Sequence, residues 1–455
     1  MPSASSSATY PQLMGVEEDS IDPKTLYRLD GKTLGTGGYA EVRRAWHRET
    51  GDEVALKRPL LKPQAQERIR VEIEAQKRLH HPNIMRIIEH DPGYRWYTMP
   101  VALNTLGKLR DGLDEEDLLS ILLNIADALD VAHQEDLVHR DISPSNILAL
   151  PASNNRTRRW VVADWGMVRR PPGATKNPLT RTGQEIGTDG FAAPELSDDP
   201  RTATGAADVY SLGRIAAWFL TKTLPKAGRR LLPEDPDLMH WRPFIVECTK
   251  EEVSQRTGSM SELREKLEAV FDHKGEPIED QAERLTEKIL LGEQKDTEEL
   301  FTLAEAYPNN DVIYFDNLAM LTSSVINDAA RHAPDRIGEI AATMARLLRQ
   351  TSWDDRDEPY KATPLAFIHT TLRALVENRQ LGLAQDLATE FFRADAHCGN
   401  HDQTRRTTEW LDELDGATER ALSRALAGAG ASVTSYYRAF PWTPQSASLA
   451  TLLGP

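Results

Sequence analysis

The sequence predicts an α+β fold followed by an all-α segment, and three observations carry that reading. Short β-type runs surround a glycine-rich turn at Gly35-Thr36-Gly37-Gly38 and recur at Val54-Ala55-Leu56-Lys57 and Trp160-Val161-Val162-Ala163. Between them apolar residues fall at helical spacing, first Ile69, Ile73 and Leu79, then Leu118, Leu122, Ile125 and Leu129. From Gly275 onward only the helical period remains.

At 455 residues the chain has room for two or three domains, each with its own core. A hydrophobic share of 40% and a charged share of 27% are ordinary for a soluble globular protein. No apolar run approaches membrane-spanning length, and MPSASSSATYPQ lacks the basic start and apolar core of a secretory leader. Cys248 and Cys398 fall in different predicted domains, so no disulfide framework is expected and a cytoplasmic location is. The net charge of −16 is uneven: after residue 274 there are 17 Lys and Arg against 29 Asp and Glu. Such a segment repels a polyanion, which excludes nucleic acid as its partner.

Taken in order, residues 1–25 are rich in Ser, Pro and acidic residues and are expected to be disordered. A glycine-rich turn between two strands then lets backbone amides approach phosphate oxygens with no side chain in the way, although alone its default reading is a functionless hairpin. After the strand ending in Lys57, a helix carries Glu72 and Glu74 and stops at His81-Pro82-Asn83-Ile84. Tyr97 to Val101 form a short apolar link, in which Pro100 has no N–H to donate. An amphipathic helix from about Glu115 to Gln134 delivers the chain to His139-Arg140-Asp141-Ile142-Ser143-Pro144-Ser145-Asn146-Ile147-Leu148. Asp141 and Asn146 stand five positions apart, and Asp164-Trp165-Gly166 follows.

This ordered set resembles the protein kinase family, and LTRTGQEIGTDGFAAPE resembles its bacterial eukaryotic-like (Hanks-type) serine/threonine members. The resemblance implies a bilobal kinase fold, with a small β-rich N-lobe and a larger helical C-lobe, over residues 26–272. It implies ATP and Mg2+ as cofactors. Leu34, Gly35, Thr36, Gly37, Gly38, Tyr39, Ala40, Val42, Ala55, Met99, Ala102 and Leu148 would surround the nucleotide, with Lys57 on its phosphates and Glu72 paired to Lys57. Asp141 would accept the proton of the attacking hydroxyl, and Asn146 and Asp164 would hold metal. Ser143 stands where most serine/threonine members carry a catalytic-loop lysine, Ala40 replaces the third glycine, and Trp165 replaces a phenylalanine. Loss of that lysine removes positive charge near the transferred group. Thr180 and Thr182 match the autophosphorylated pair of the activation loop, a phosphate there being held by Arg140, and Thr188 would shape the hydroxyl site. Glu195 and Arg256 would form a buried ion pair, and Asp208 would cap the catalytic-loop backbone.

Residues 275–430 read as an all-α domain and 431–455 as a C-terminal tail whose aromatic residues Tyr436, Tyr437, Phe440 and Trp442 dock on a neighbouring surface. Pro308, Pro334 and Pro364 are placed near helix starts. AEAYPNNDVIYFDNLA resembles a junction between tetratricopeptide repeats, but no second copy is evident. His397, Cys398 and His401 lack a fourth metal ligand and read as a surface loop. Two functions fit: an active serine/threonine protein kinase whose helical domain recruits protein substrates or controls activity, and a nucleotide-binding pseudokinase scaffold. No membrane span is expected, and the sequence leaves room for a homodimer.

Overall fold

The computed structural model describes residues 20–62, 64–151, 158–167, 190–199, 202–353, 358–414 and 416–454. The chain divides into two compact units, Met1–His273 and Lys274–Pro455.

The first unit opens with an antiparallel five-stranded sheet of order β1-β2-β3-β5-β4. Its strands are β1 (Tyr27–Thr36), β2 (Ala40–His47), β3 (Glu53–Pro59), β4 (Glu89–His90) and β5 (Tyr97–Met99). The glycine-rich stretch is the turn of the β1–β2 hairpin, closed by Gly37 N–H donating to Ala40 O at 2.9 Å. Register then decides what faces the site: Lys57 lies opposite Val42 on one side and Tyr97 on the other, and Ala55 lies opposite Met99. Helix α1 (Ala65–Arg78) buries Ile69 and Ile73 in a core with Ala55, Met85 and Tyr97.

The helical lobe is built on α2 (Glu115–Gln134) and α3 (Ala206–Thr221). Asp114 and Asp117 close a capping box at the start of α2, satisfying amides that a helix N-terminus leaves open. Every residue of α3 from Ala206 to Leu220 is buried, so it is a central post. Helices α4 (Arg242–Cys248) and α5 (Met260–Ala269) complete the lobe. A small sheet of order β6-β7-β8 (Asn104–Thr105, Ile147–Pro151, Arg158–Val162) lies at its edge. Asp141 and Asn146 precede β7 and Asp164 follows β8, so one hairpin carries both loops to the same end.

Residues 20–25, part of the stretch expected to be disordered, are ordered. Ile21 N–H donates to Asp91 Oδ1 at 2.8 Å, Trp96 Nε1 donates to Ile21 O at 2.7 Å, and Pro23–Leu26 form a helical turn capped by Asp22. Buried Asp91 and Trp96 each need a partner, and this segment supplies it.

The second unit is helical: α6 (Ile278–Leu290), α7 (Thr297–Ala306), α8 (Ser323–His332), α9 (Pro334–Gln350), α10 (Glu358–Glu377), α11 (Leu381–Cys398), α12 (His401–Asp412), α13 (Gly416–Gly428), α14 (Ala431–Ala439) and α15 (Ala447–Leu453). Their lengths run from 7 to 20 residues, and no helix pair of constant length recurs among the described residues. Pro334 opens α9 as expected, but Pro364 lies inside α10, which begins at Glu358 with Pro359 in its first turn. His397 reaches Thr351 O at 3.0 Å, and Cys398 is buried at the end of α11.

The expected C-terminal tail is also folded, because its aromatic residues have buried partners to reach. Tyr437 is 1% exposed and donates to Asp395 Oδ2 at 2.5 Å; Trp442 Nε1 donates to Asp412 at 2.8 Å. Asp395 also accepts from Thr404 at 3.0 Å. Burial pushes its carboxyl up to about 7, against the pull of the Tyr437 and Thr404 hydroxyls. A raised value means the native state prefers the neutral acid, so this stability is present at low pH and lost as pH climbs to about 7. The thermal midpoint should therefore fall between pH 4 and about 7, with a shallower fall in Asp395→Asn, as read by calorimetry across that range.

Candidate active site

A cleft of about 780 Å³ lies within the first unit. From the β-rich lobe it is lined by Leu34, Gly35, Thr36, Gly37, Gly38, Tyr39, Ala40, Val42, Ala55, Lys57 and Glu72; Met99 and Ala102 come from the connection, and Asp141, Asn146, Leu148 and Asp164 from the helical lobe. Residues up to 130 positions apart in sequence meet here, because the β2–β3 pairing and the β7–β8 hairpin end at the same gap.

Lys57 is the centre. Its Nζ lies 2.8 Å from both oxygens of Glu72 and 3.2 Å from Asp164 Oδ1. Lys57 is 8% exposed and Glu72 is 1% exposed. Tyr97, one strand over, donates its hydroxyl to Glu72 Oε1 at 2.8 Å. Burial alone would lower the Lys57 ammonium, but Asp164 and Glu72 more than offset it, and its pKa lies above the ordinary lysine value. Burial raises Glu72, with Lys57 opposing. Asp164 is 47% exposed at its side chain; against its own desolvation, the Lys57 ammonium holds its carboxyl below the usual range. Glu74 points away, to Arg70.

The loop around Asp141 is held from below. Asp208, fully buried on α3, accepts from His139 N–H at 3.0 Å, Arg140 N–H at 2.8 Å and His133 Nε2 at 2.8 Å. Arg140 and Asp164 adopt φ of +68° and +65°, left-handed values that L side chains disfavour by roughly 1–2 kcal/mol each. These two strained residues flank the chemistry, and the buried hydrogen bonds keep the first in place. Asn146 Nδ2 donates to Asp141 O at 2.7 Å and Oδ2 at 3.2 Å, tying the two side chains together. Trp165 is fully buried, edge-on to His139 with ring centroids 4.7 Å apart, and fills the core under the loop.

Glu195 and Arg256 meet at 2.6 and 2.9 Å, and Arg256 also donates to the carbonyls of Lys250 and Glu251. Ser143 departs from its expected place. It is fully buried, bonded to Ser145 Oγ at 2.8 Å, and does not line the cleft, because its short side chain is spent inside the loop. Thr180, Thr182, Thr175 and Thr188 lie outside the described residues. Sequence reading missed the contribution of Tyr97 to the Lys57–Glu72 pair, which only strand register reveals. It also missed Arg68, whose guanidinium sits 3.6 Å from the ring centroid of Tyr39 in the glycine-rich turn.

The donor set suits a hard divalent cation. Asp164 offers an ionised carboxylate, and Asn146 offers its amide oxygen because its nitrogen is committed to Asp141. Among the described residues no three His, Cys, Asp or Glu converge on a metal site. A cation here would complete its shell with phosphate and water oxygens, as Mg2+ does.

Two variants test the scaffold. Asp208→Ala orphans two buried amides at about 1–3 kcal/mol each, and Arg256→Ala strands Glu195 at about 3–5 kcal/mol. Urea denaturation should show both losses.

Comparison with known proteins agrees with this geometry. The model of the protein kinase domain matches residues 29–295, more than half of the chain. The chain is 34% identical over 212 residues to CBL-interacting serine/threonine-protein kinase 26 of Arabidopsis thaliana, covering 44% of this chain and 47% of that protein. It is 34% identical over 211 residues to serine/threonine-protein kinase PknF of Mycobacterium tuberculosis, covering 43% and 42%, and 32% identical over 223 residues to PknA of the same species, covering 44% and 48%. The chain thus spans under half the length of each of these relatives. With the family's domain matched across the whole cleft, the chain belongs to the protein kinase family.

Proposed function

We propose that the chain is an ATP-dependent serine/threonine protein kinase. The observation carrying this reading is that Lys57, Asp141, Asn146 and Asp164 line one cleft beneath a glycine-rich turn. The named relatives that are serine/threonine kinases support the acceptor class.

In the proposed reaction an acceptor hydroxyl attacks the γ-phosphorus of ATP in line. A new P–O bond forms as the bond to the β–γ bridging oxygen breaks, and ADP leaves with that electron pair. Asp141 takes the hydroxyl proton, its carboxylate oriented by Asn146 at 3.2 Å. Lys57, held above the ordinary lysine value, stays cationic and steadies phosphate charge. Mg2+, where Asp164 and Asn146 hold it, would supply further charge neutralisation on the phosphates. Ser143 adds no cation at the transferring group, so positive charge there must come from elsewhere in the cleft. Thr180 and Thr182 are proposed as autophosphorylated regulatory sites, and the helical unit as a module that recruits protein substrates or regulates the first. Among the described residues no helix is long and apolar enough to cross a membrane.

The test is incubation of the full chain with γ-labelled ATP, magnesium and a Ser/Thr protein acceptor. Lys57→Met and Asp141→Asn should each reduce transfer by roughly 10²–10⁴-fold. Nucleotide binding with no transfer by the wild type would instead indicate a scaffold. Phosphopeptide mapping checks the regulatory sites: label should concentrate on Thr180 and Thr182 and vanish from the double alanine variant.

A further inference from the structure

The chain carries a net charge of −16, yet one part of the helical lobe is strongly basic. The loop from Lys222 to Arg230 holds Lys222, Lys226, Arg229 and Arg230 and no acidic residue, and all four are exposed. A charged loop is ordinarily no more than a solvated edge. This one is built into place. Arg214, only 2% exposed on α3, donates Nη2 to Lys226 O at 2.8 Å, Nη1 to Arg229 O at 2.7 Å and Nε to Gly190 O at 2.8 Å. Gly190 has φ +90°, and a Cβ there would come within 2.0 Å of Pro225 O. The basic loop is therefore clamped to the backbone that leads into Ala193-Pro194-Glu195, and Ser211 holds Phe191 O from the same helix at 2.9 Å.

The positive band continues from the loop to the cleft. Lys222 Nζ stands 4.5 Å from the Phe219 ring centroid and Arg110 stands 4.5 Å from that of Trp218, adjacent residues of α3. Burial and the nearby Arg110 guanidinium hold Lys222 below the usual lysine value, as expected where cations crowd together. Two residues before Arg110, Lys108 lines the cleft beside Asp141 and Asn146; Gly107 N–H donates to Pro144 O at 3.0 Å, fixing that turn against the catalytic loop. Arg110 pairs with Asp111 at 3.2 Å. Lys108, Lys222, Lys226 and Arg229 make no ion pair among the described residues.

We propose that this band is a docking surface for the acidic side chains of the polypeptide that presents its hydroxyl to Asp141. The inference rests on the kinase reading and deepens it by naming the acceptor's chemistry: Ser or Thr flanked by Asp or Glu. Cations held close together repel one another, and an acidic strand relieves that repulsion while gaining charge-assisted contacts. Clamping by Arg214 means the loop need not be ordered on binding, which lowers the entropic cost. The surface also steers acidic chains toward a molecule that otherwise repels them.

The experiment measures, with the full chain, anisotropy binding and transfer for three Thr peptides flanked by Glu, Ala or Lys. The Glu peptide should bind about tenfold more tightly than the Ala peptide, with the gap closing at high salt. Lys226→Glu/Arg229→Glu, which leaves the Arg214 bonds to the loop carbonyls intact, should invert the order so that the Lys peptide binds best. Equal binding of the three peptides, or an unchanged order in the reversed variant, overturns the proposal. If the Glu preference and its inversion appear without phosphate transfer, the kinase reading fails and the docking surface stands.

Discussion

One ammonium group between two carboxylates holds the first unit to a single geometry. Lys57 comes from a strand, Glu72 from the helix that follows it, and Asp164 from the far lobe, and all three meet within 3.2 Å. The Lys57–Glu72 pair is buried, and removing one partner of such a pair costs about 3–5 kcal/mol. Any displacement of α1 or of the Asp164 loop therefore breaks a buried contact. Tyr97 strengthens the constraint by supplying Glu72 with a second donor at 2.8 Å. The arrangement couples the position of a helix to the aim of the Lys57 ammonium, which both carboxylates hold.

The helical lobe meets a different demand with a similar device. Its loop must present Asp141 and Asn146 toward the gap, which bends the backbone through a left-handed Arg140. Asp208 offsets that strain by accepting three hydrogen bonds from a buried position on α3. The same helix supplies Ser211 and Arg214, which take carbonyls of Phe191 and Gly190. One buried helix thus fixes the catalytic loop, the segment before Glu195 and the basic loop together. The cleft is lined by groups at its surface and edge, while their placement depends on buried groups behind them.

In the second unit the polar network lies inside the fold. Asp395 joins Thr404 and Tyr437, linking α11, α12 and α14, and its carboxyl prefers the neutral form. A buried acid whose charge is suppressed belongs to packing rather than to catalysis here, since its partners are hydroxyls and one of them, Tyr437, packs edge-on against Phe392.

The sequence by itself determined which residues line the cleft and in what order they come. Gly35 to Ala40, Asp141, Asn146 and Asp164 were legible because phosphate chemistry needs such residue types at such spacings, and Lys57 and Glu72 through resemblance to the protein kinase family. The Glu195–Arg256 pair and the Asp208 cap were legible only through resemblance, since nothing local in either stretch names its partner. Tertiary structure decided what periodicity does not encode. Ser143 turns inward to hydrogen-bond the neighbouring Ser145, residues 20–25 are ordered by bonds to Asp91 and Trp96, and the aromatic C-terminus folds onto Asp395 and Asp412. The basic loop likewise became a surface only once Arg214 was seen to clamp its carbonyls beside Gly190. Spacing along a chain reports residues within a turn or a strand of one another, whereas all of these contacts but the Ser143–Ser145 bond join residues brought together by the packing of distant elements.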